Sequence, residues 1–169
     1  MNDLTNPYAG WEVFNLIVGA TSGALIGFQG LASALAADTD DADEPPTNAA
    51  TVAHFSASLA LCSLCGVPWT DTVTPTPIWT AAGLAGMVYV LQVTTRMFQA
   101  GEVAPQVEDI AFHSVLPFTA YMALAVACLF CLPSALFLVG YACLTLLLIG
   151  IHNAYDSVMF QVFLRKMRR

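Results

Sequence analysis

Long uncharged apolar segments are the feature of this sequence that most constrains its fold. No charged residue occurs from Val13 to Ala36. A helix rises about 1.5 Å per residue, so it needs about 20 apolar residues to cross a bilayer core of roughly 30 Å. Four further segments approach this length, and the sequence therefore predicts an all-α integral membrane bundle with about five transmembrane helices. The predicted spans are 13–36, 49–66, 78–95, 110–131 and 134–151, with the last helix continuing to about residue 163.

Composition excludes several other classes of protein. Charged residues make up 10% of the chain and the mean hydropathy is +0.69, whereas a soluble domain carries about 25% charged residues. Five basic residues against twelve acidic ones leave no positive surface for a nucleic acid. Because no segment between the spans is long enough to fold alone, residues 1–169 are expected to form a single membrane domain whose main partner is the lipid bilayer.

The basic residues predict an orientation. They are Arg96 at the end of the third span and, at the C-terminus, Arg165, Lys166, Arg168 and Arg169. With five spans, these two places fall on the same side, and the positive-inside rule makes that side cytoplasmic. The N-terminus then lies outside. The single Lys and the acidic composition favour a prokaryotic plasma membrane.

Three glycines share one face of the first span. Gly19, Gly23 and Gly27 are four residues apart, and small residues at this spacing allow helices in lipid to approach closely. They predict either packing within the chain, with Gly83 and Gly86 of the third span as mates, or contact with a second copy or a larger membrane complex. The leading expectation for function is a self-associating protein or accessory subunit, because of this glycine face and because no extramembrane domain is expected. No nucleophile elbow, phosphate-binding glycine loop or nucleotide motif is present.

Cysteines form two pairs and one single residue. Cys62 and Cys65 lie in the second span, Cys128 and Cys131 in the fourth, and Cys143 stands apart. A C-x-x-C pair near the outer face is compatible with thiol–quinone exchange, but neither pair has the basic neighbour that would activate a thiol. Packing of small polarisable side chains is the competing interpretation.

Histidines and carboxylates concentrate toward the predicted cytoplasmic side. Asp109 and His113 are four residues apart at the start of the fourth span, and His152 and Asp156 repeat this spacing in reverse order after the fifth. Because these helices are antiparallel and joined by a tight turn at 132–133, we expect the two imidazoles to face each other at nearly equal depth. His54 and Arg96 complete the predicted polar cluster.

Three interpretations of this cluster compete. It is a structural hydrogen-bond network, with Arg96 as a counter-ion. Alternatively it is a metal site for zinc or iron, which accept such ligands from facing helices. The third alternative is a proton or ion relay through the same groups. The hypothetical metal ligands are His54, His113, His152, Asp109 and Asp156.

Overall fold

The computed structural model describes residues 7–37, 46–100, 107–129 and 135–167, and the side chains of residues 7–34, 49–99, 107–127 and 135–159. The regular elements in these ranges are all helices, which confirms the all-α prediction. Four helical stretches are long and apolar enough to cross a membrane, and a shorter apolar helix accompanies them. The chain is a multi-pass membrane protein built as a helical bundle.

The described chain forms the following helices. The first three are α1 at Glu12–Ala37, α2 at Pro46–Cys65 and α3 at Thr76–Ala100. The fourth, α4, consists of three consecutive stretches: an α-helical turn at Val107–Ile110, a π-helical turn at Ala111–Val115 and an α-helix at Leu116–Leu129. The last, α5, is Ala135–Met167.

Four helices long enough to span a membrane and one shorter apolar helix, α2, agree with the predicted bundle of about five. The apolar part of α2, Ala49–Cys65, is shorter than the four stretches that satisfy length and composition in the described chain. The physical reason is its position, because α2 packs between α1 and α5. Thr51, His54 and Ser58 are buried there, and a helix surrounded by protein does not need the apolar surface that lipid demands.

The helices pack in the spatial order α1, α2, α5, α4, α3, which differs from their order along the chain. Ser58 on α2 contacts Cys143 on α5, and Phe55 on α2 lies against Gly150 on α5. Since the higher number on one helix meets the lower number on the other, α2 and α5 run antiparallel. This arrangement brings α2, α5 and α4 together in the interior of the bundle.

Two ends of the bundle differ in chemistry. We call the end with Trp11, Trp69 and the α2–α3 loop the tryptophan end, and the end with Arg96, Glu108 and His152 the histidine end. Tryptophans near the ends of spans commonly form a belt at the membrane interface. Trp79, however, is fully buried and its ring lies 6.4 Å from that of Tyr8, so it belongs to the core.

A π-helical turn interrupts α4 just before Pro117. In this turn the Leu116 amide bonds to the carbonyl of Ala111, five residues back. Pro117 has no N–H to donate to the carbonyl of His113, and its ring would press on that carbonyl in a regular helix. The wider turn relieves this conflict, and it shifts the angular phase of the residues that precede it.

The predicted glycine contacts are partly rearranged. A Cβ built on Gly19 would lie 3.2 Å from Cβ of Cys62, so α1 packs on α2 at this point. A Cβ built on Gly27 would meet no atom of a neighbouring element within 4 Å in the described part of the chain. Gly83 and Gly86 are not mates of α1, because α3 packs on α4 at the far side of the bundle.

Candidate functional site

His152 is the centre of the polar groups at the histidine end. Its Nε2 lies 3.2 Å from Oδ2 of Asp156 and 3.6 Å from Oε1 of Glu108. The imidazole also stacks on the ring of Phe112, with centroids 3.7 Å apart. The structure thus brings the predicted pair His152 and Asp156 together, and it adds Glu108 from α4.

His113 takes a different place from the one expected. Its Nδ1 lies 3.2 Å from the carbonyl oxygen of Asp109, to which a protonated Nδ1 donates. The α4 residue against His152 is Phe112 rather than His113. Depth along the helices agrees with the prediction, but the π-helical turn changes which side chain points across to α5.

His54 and Tyr121 form a polar pair inside the bundle. Nδ1 of His54 lies 3.3 Å from Oη of Tyr121, and the two residues are 1% and 4% exposed. Gly86 on α3 lies directly against the Tyr121 ring, which holds the ring toward α2. Tyr121 was not predicted as a site residue, although a tyrosine within a span needs a hydrogen-bond partner.

One face of α2 carries a continuous line of buried polar and thiol groups, which we call the α2 stripe. Thr51, His54, Ser58, Cys62 and Cys65 are spaced by three or four residues, and none is more than 6% exposed. Ser58 Oγ donates to the carbonyl of Cys143 at 2.9 Å. The stripe crosses the bundle interior from the histidine end to the tryptophan end.

The cysteines that the structure describes lie on or beside this stripe. Cys62, Cys65 and Cys143 are buried and free. The carbonyl of Cys143 accepts the hydrogen bond of Ser58, so Cys143 lies against the α2 stripe and is not isolated as the sequence suggested. Cys131 and the side chain of Cys128 lie outside the described part of the chain, and the predicted redox use of these pairs stays a prediction.

A groove opens between α1 and α2 at the tryptophan end. Its volume is about 680 Å³. Cys62 and Cys65 of the α2 stripe line it together with Glu12 and Asn15 of α1. Gly23, on the glycine face of α1, also lines the groove, and its missing side chain leaves space between the helices.

The predicted metal ligands do not form one coordination sphere. Among the described residues there is no group of three or more His, Cys, Asp and Glu side chains that could hold a metal ion. His152 and Asp156 lie at the histidine end, whereas His54 is bonded to Tyr121 in the interior. Arg96 is exposed on α3, and the ion pairs found in the described chain belong to His152.

Comparison with known proteins gives no assignment. No protein-family model, curated protein or solved structure matches this chain.

Proposed function

We propose that this protein relays protons through the interior of the bundle along the α2 stripe, with the His54–Tyr121 pair at its centre. The observation that carries the proposal is the stripe itself, whose members are at most 6% exposed. Ionisable side chains within spans are costly and mark function by default. Apolar residues would fill the same positions without that cost.

One entrance to this path lies at the histidine end. Glu108 and Asp156 are exposed carboxylates on either side of the partly buried His152, so they can exchange protons with water and with the imidazole. His113 lies within electrostatic range of His54. From the exposed carboxylates to the imidazole of His54, the side chains along this path become progressively more buried.

His54 has the chemistry that a relay requires. An imidazole accepts a proton at one ring nitrogen and releases another from the second nitrogen. Tyr121 Oη, at 3.3 Å from Nδ1, either donates to this nitrogen or accepts from it, depending on the tautomer. The pair therefore holds one shared proton position inside the membrane.

The second entrance to the proposed proton path is the groove between α1 and α2. Beyond His54 the stripe continues through the Ser58 hydroxyl and the Cys62 thiol, and each of these groups both donates and accepts. Cys62 lines the groove together with Glu12, an exposed carboxylate at the start of α1. Ionisable groups therefore stand at both ends of the stripe.

Proton flux into liposomes tests the relay. The purified protein is reconstituted with a trapped pH-sensitive dye, and a potassium diffusion potential drives protons inward. The parent should acidify the lumen faster than protein-free liposomes, and His54→Phe should lose this flux. Thr95→Ala is the matched control, because its hydroxyl bonds to the carbonyl of Gln92 on its own helix α3, away from the stripe and the groove. A parent flux equal to that of protein-free liposomes would overturn the proposal.

A second candidate function is self-association or docking on a larger membrane complex. It is favoured by the far half of α1, where Gly27 and Gly30 have no described neighbour within 4 Å and Phe28 and Leu31 are exposed. Cross-linking and native mass spectrometry should show an oligomer or partner for the parent and for Ile17→Leu, and its loss in Gly27→Leu. A monomer without a partner in all three samples contradicts it.

The proposed membrane orientation is that of a prokaryotic plasma-membrane protein with the N-terminus outside. Arg96 and the last turns of α5 lie at the same end of the bundle, and the antiparallel packing of α2 with α5 supports a full crossing by α2. The positive-inside rule then makes the histidine end cytoplasmic. Reporter fusions to the two termini test this orientation, and reporters active on the same side would contradict it.

A further inference from the structure

Asn153 is a buried polar residue that the polar contacts described above do not explain. It is 1% exposed, and neither Oδ1 nor Nδ2 has a hydrogen-bond partner in the described part of the chain. Most buried side-chain amides are hydrogen-bonded, and each exception calls for a physical explanation. At the same position a leucine would fill the space without an unpaired donor and acceptor.

The position of Asn153 relates it to the α2 stripe. Gly150, one turn earlier on α5, lies against Phe55, the residue after His54. On the antiparallel α2, the next turn toward the histidine end carries Thr51, which is 0% exposed. Asn153 also follows His152 directly in the chain. It therefore lies between the surface histidine and the level of the buried stripe.

The unpaired atoms determine which ligand fits. Oδ1 accepts and Nδ2 donates, so a ligand that satisfies both must donate and accept at once. A metal cation would satisfy only the oxygen, and an anion only the amide. Water satisfies both, and buried waters in proteins serve polar groups that otherwise lack partners.

We propose that Asn153 binds a water molecule inside the bundle, and that this water carries protons between His152 and the α2 stripe. The second half of this statement rests on the proposed relay, whereas the binding of water does not. A water that accepts a proton on the His152 side and releases one toward the stripe is regenerated unchanged. Asn153 is thus a positioning residue for the relay.

Solid-state NMR of the full-length protein in lipid bilayers tests the water directly. With ¹⁵N-labelled asparagine, the side-chain amide of Asn153 is identified by its loss in Asn153→Leu. We expect magnetisation transfer from water to this amide, with Asn15 at the groove as the positive control. Transfer to Asn15 but not to Asn153 would overturn the water site.

Proton flux in the same liposome assay tests the role of that water. We expect loss of flux in Asn153→Leu and partial recovery in Asn153→Ser, whose hydroxyl again donates and accepts. Water transfer without parent flux would refute the relay and leave the water site standing. Parent flux that Asn153→Leu preserves would refute the role of Asn153 and leave the relay standing.

Discussion

Glycines have opposite effects at the α3–α4 interface and at the α1–α2 interface. On α3, a Cβ built on Gly83 would lie 2.7 Å from the backbone nitrogen of Ala125, so the two helices touch through their backbones. On α1, the Cβ of Gly23 would meet Leu59 only at 4.0 Å. One interface is closed by its glycines, and the other opens into a groove of about 680 Å³.

The difference shows that a glycine's effect depends on what lies opposite it. The three glycines of α1 form the more regular motif, yet the tighter contact belongs to the shorter pair on α3. Gly86 presses on the Tyr121 ring and so positions the hydroxyl that meets His54. The closed interface fixes a polar pair, whereas the open interface gives access to the α2 stripe.

Gly83→Val should have the largest effect on stability. Its side chain would collide with the backbone of α4, which cannot rotate away as a side chain can. We expect a loss of about 3 kcal/mol in the free energy of unfolding, at the upper end of overpacking costs, measured by circular dichroism in mixed micelles. Gly27→Val, in open space on α1, is the control, and equal losses in the two variants would break the comparison.

Gly86→Ala should have the second-largest effect on stability, because its methyl group forces the Tyr121 ring to move. We expect a loss of about 2 kcal/mol together with a shift of the His54 ¹⁵N resonances, since the hydrogen bond to Tyr121 is lost. Gly23→Ala meets only ordinary van der Waals contact and should leave these resonances in place. Unchanged His54 resonances in Gly86→Ala would show that Gly86 does not position the pair.

Tyr121→Phe should cost about 1 kcal/mol, the usual net contribution of one hydrogen bond. The ring and its packing against Gly86 remain, so only the contact with His54 is lost. In the Gly86→Ala background the same substitution should cost almost nothing, because the bond is already broken. A double-mutant cycle measures this coupling, and strict additivity would contradict it.

The smallest expected effect is the response of the α2–α3 loop, which joins the two interfaces, to a change in pH. Oδ1 of Asp71 accepts hydrogen bonds from the amides of Thr74 at 2.7 Å and Val73 at 2.8 Å. The Thr74 amide, followed by the Thr74 hydroxyl, lowers the pKa of the Asp71 carboxyl below its usual value. The bonds of this carboxyl group therefore stabilise the loop above its unfolded pKa of about 3.9.

This contribution should disappear as the pH falls through the lowered folded pKa of Asp71. The amide resonances of Val73 and Thr74 are expected to titrate below about pH 3.9, and Asp71→Asn should abolish the titration. A titration midpoint above that pH would contradict the hydrogen-bonded loop.

The helical content and the approximate positions of the helices could be predicted from the sequence. Backbone N–H and C=O groups in lipid must be hydrogen-bonded to other backbone groups, so a long uncharged run that spans a membrane has to become a helix or a strand of a closed barrel. For this reason the predicted span 13–36 agrees with Glu12–Ala37 to one residue at each end. The depth of His152 opposite the start of α4 followed in the same way from counting along an antiparallel hairpin.

The lateral arrangement of the helices was decided only by the tertiary structure. Most of these helices carry apolar side chains on all their faces. The sequence therefore has little periodicity to indicate which face meets which neighbour. The members of the α2 stripe are three or four residues apart in the sequence, but their burial depended on α2 packing between α1 and α5. The partner of Tyr121 depended on the same arrangement.

The direction in which His113 points around α4 was also decided only by the folded structure. A single π-helical turn before Pro117 changes the phase of α4 and presents Phe112, not His113, to His152. Length along a helix adds up residue by residue and can be read from the chain. Direction around the helix depends on one inserted residue and on the neighbours that the folded bundle supplies.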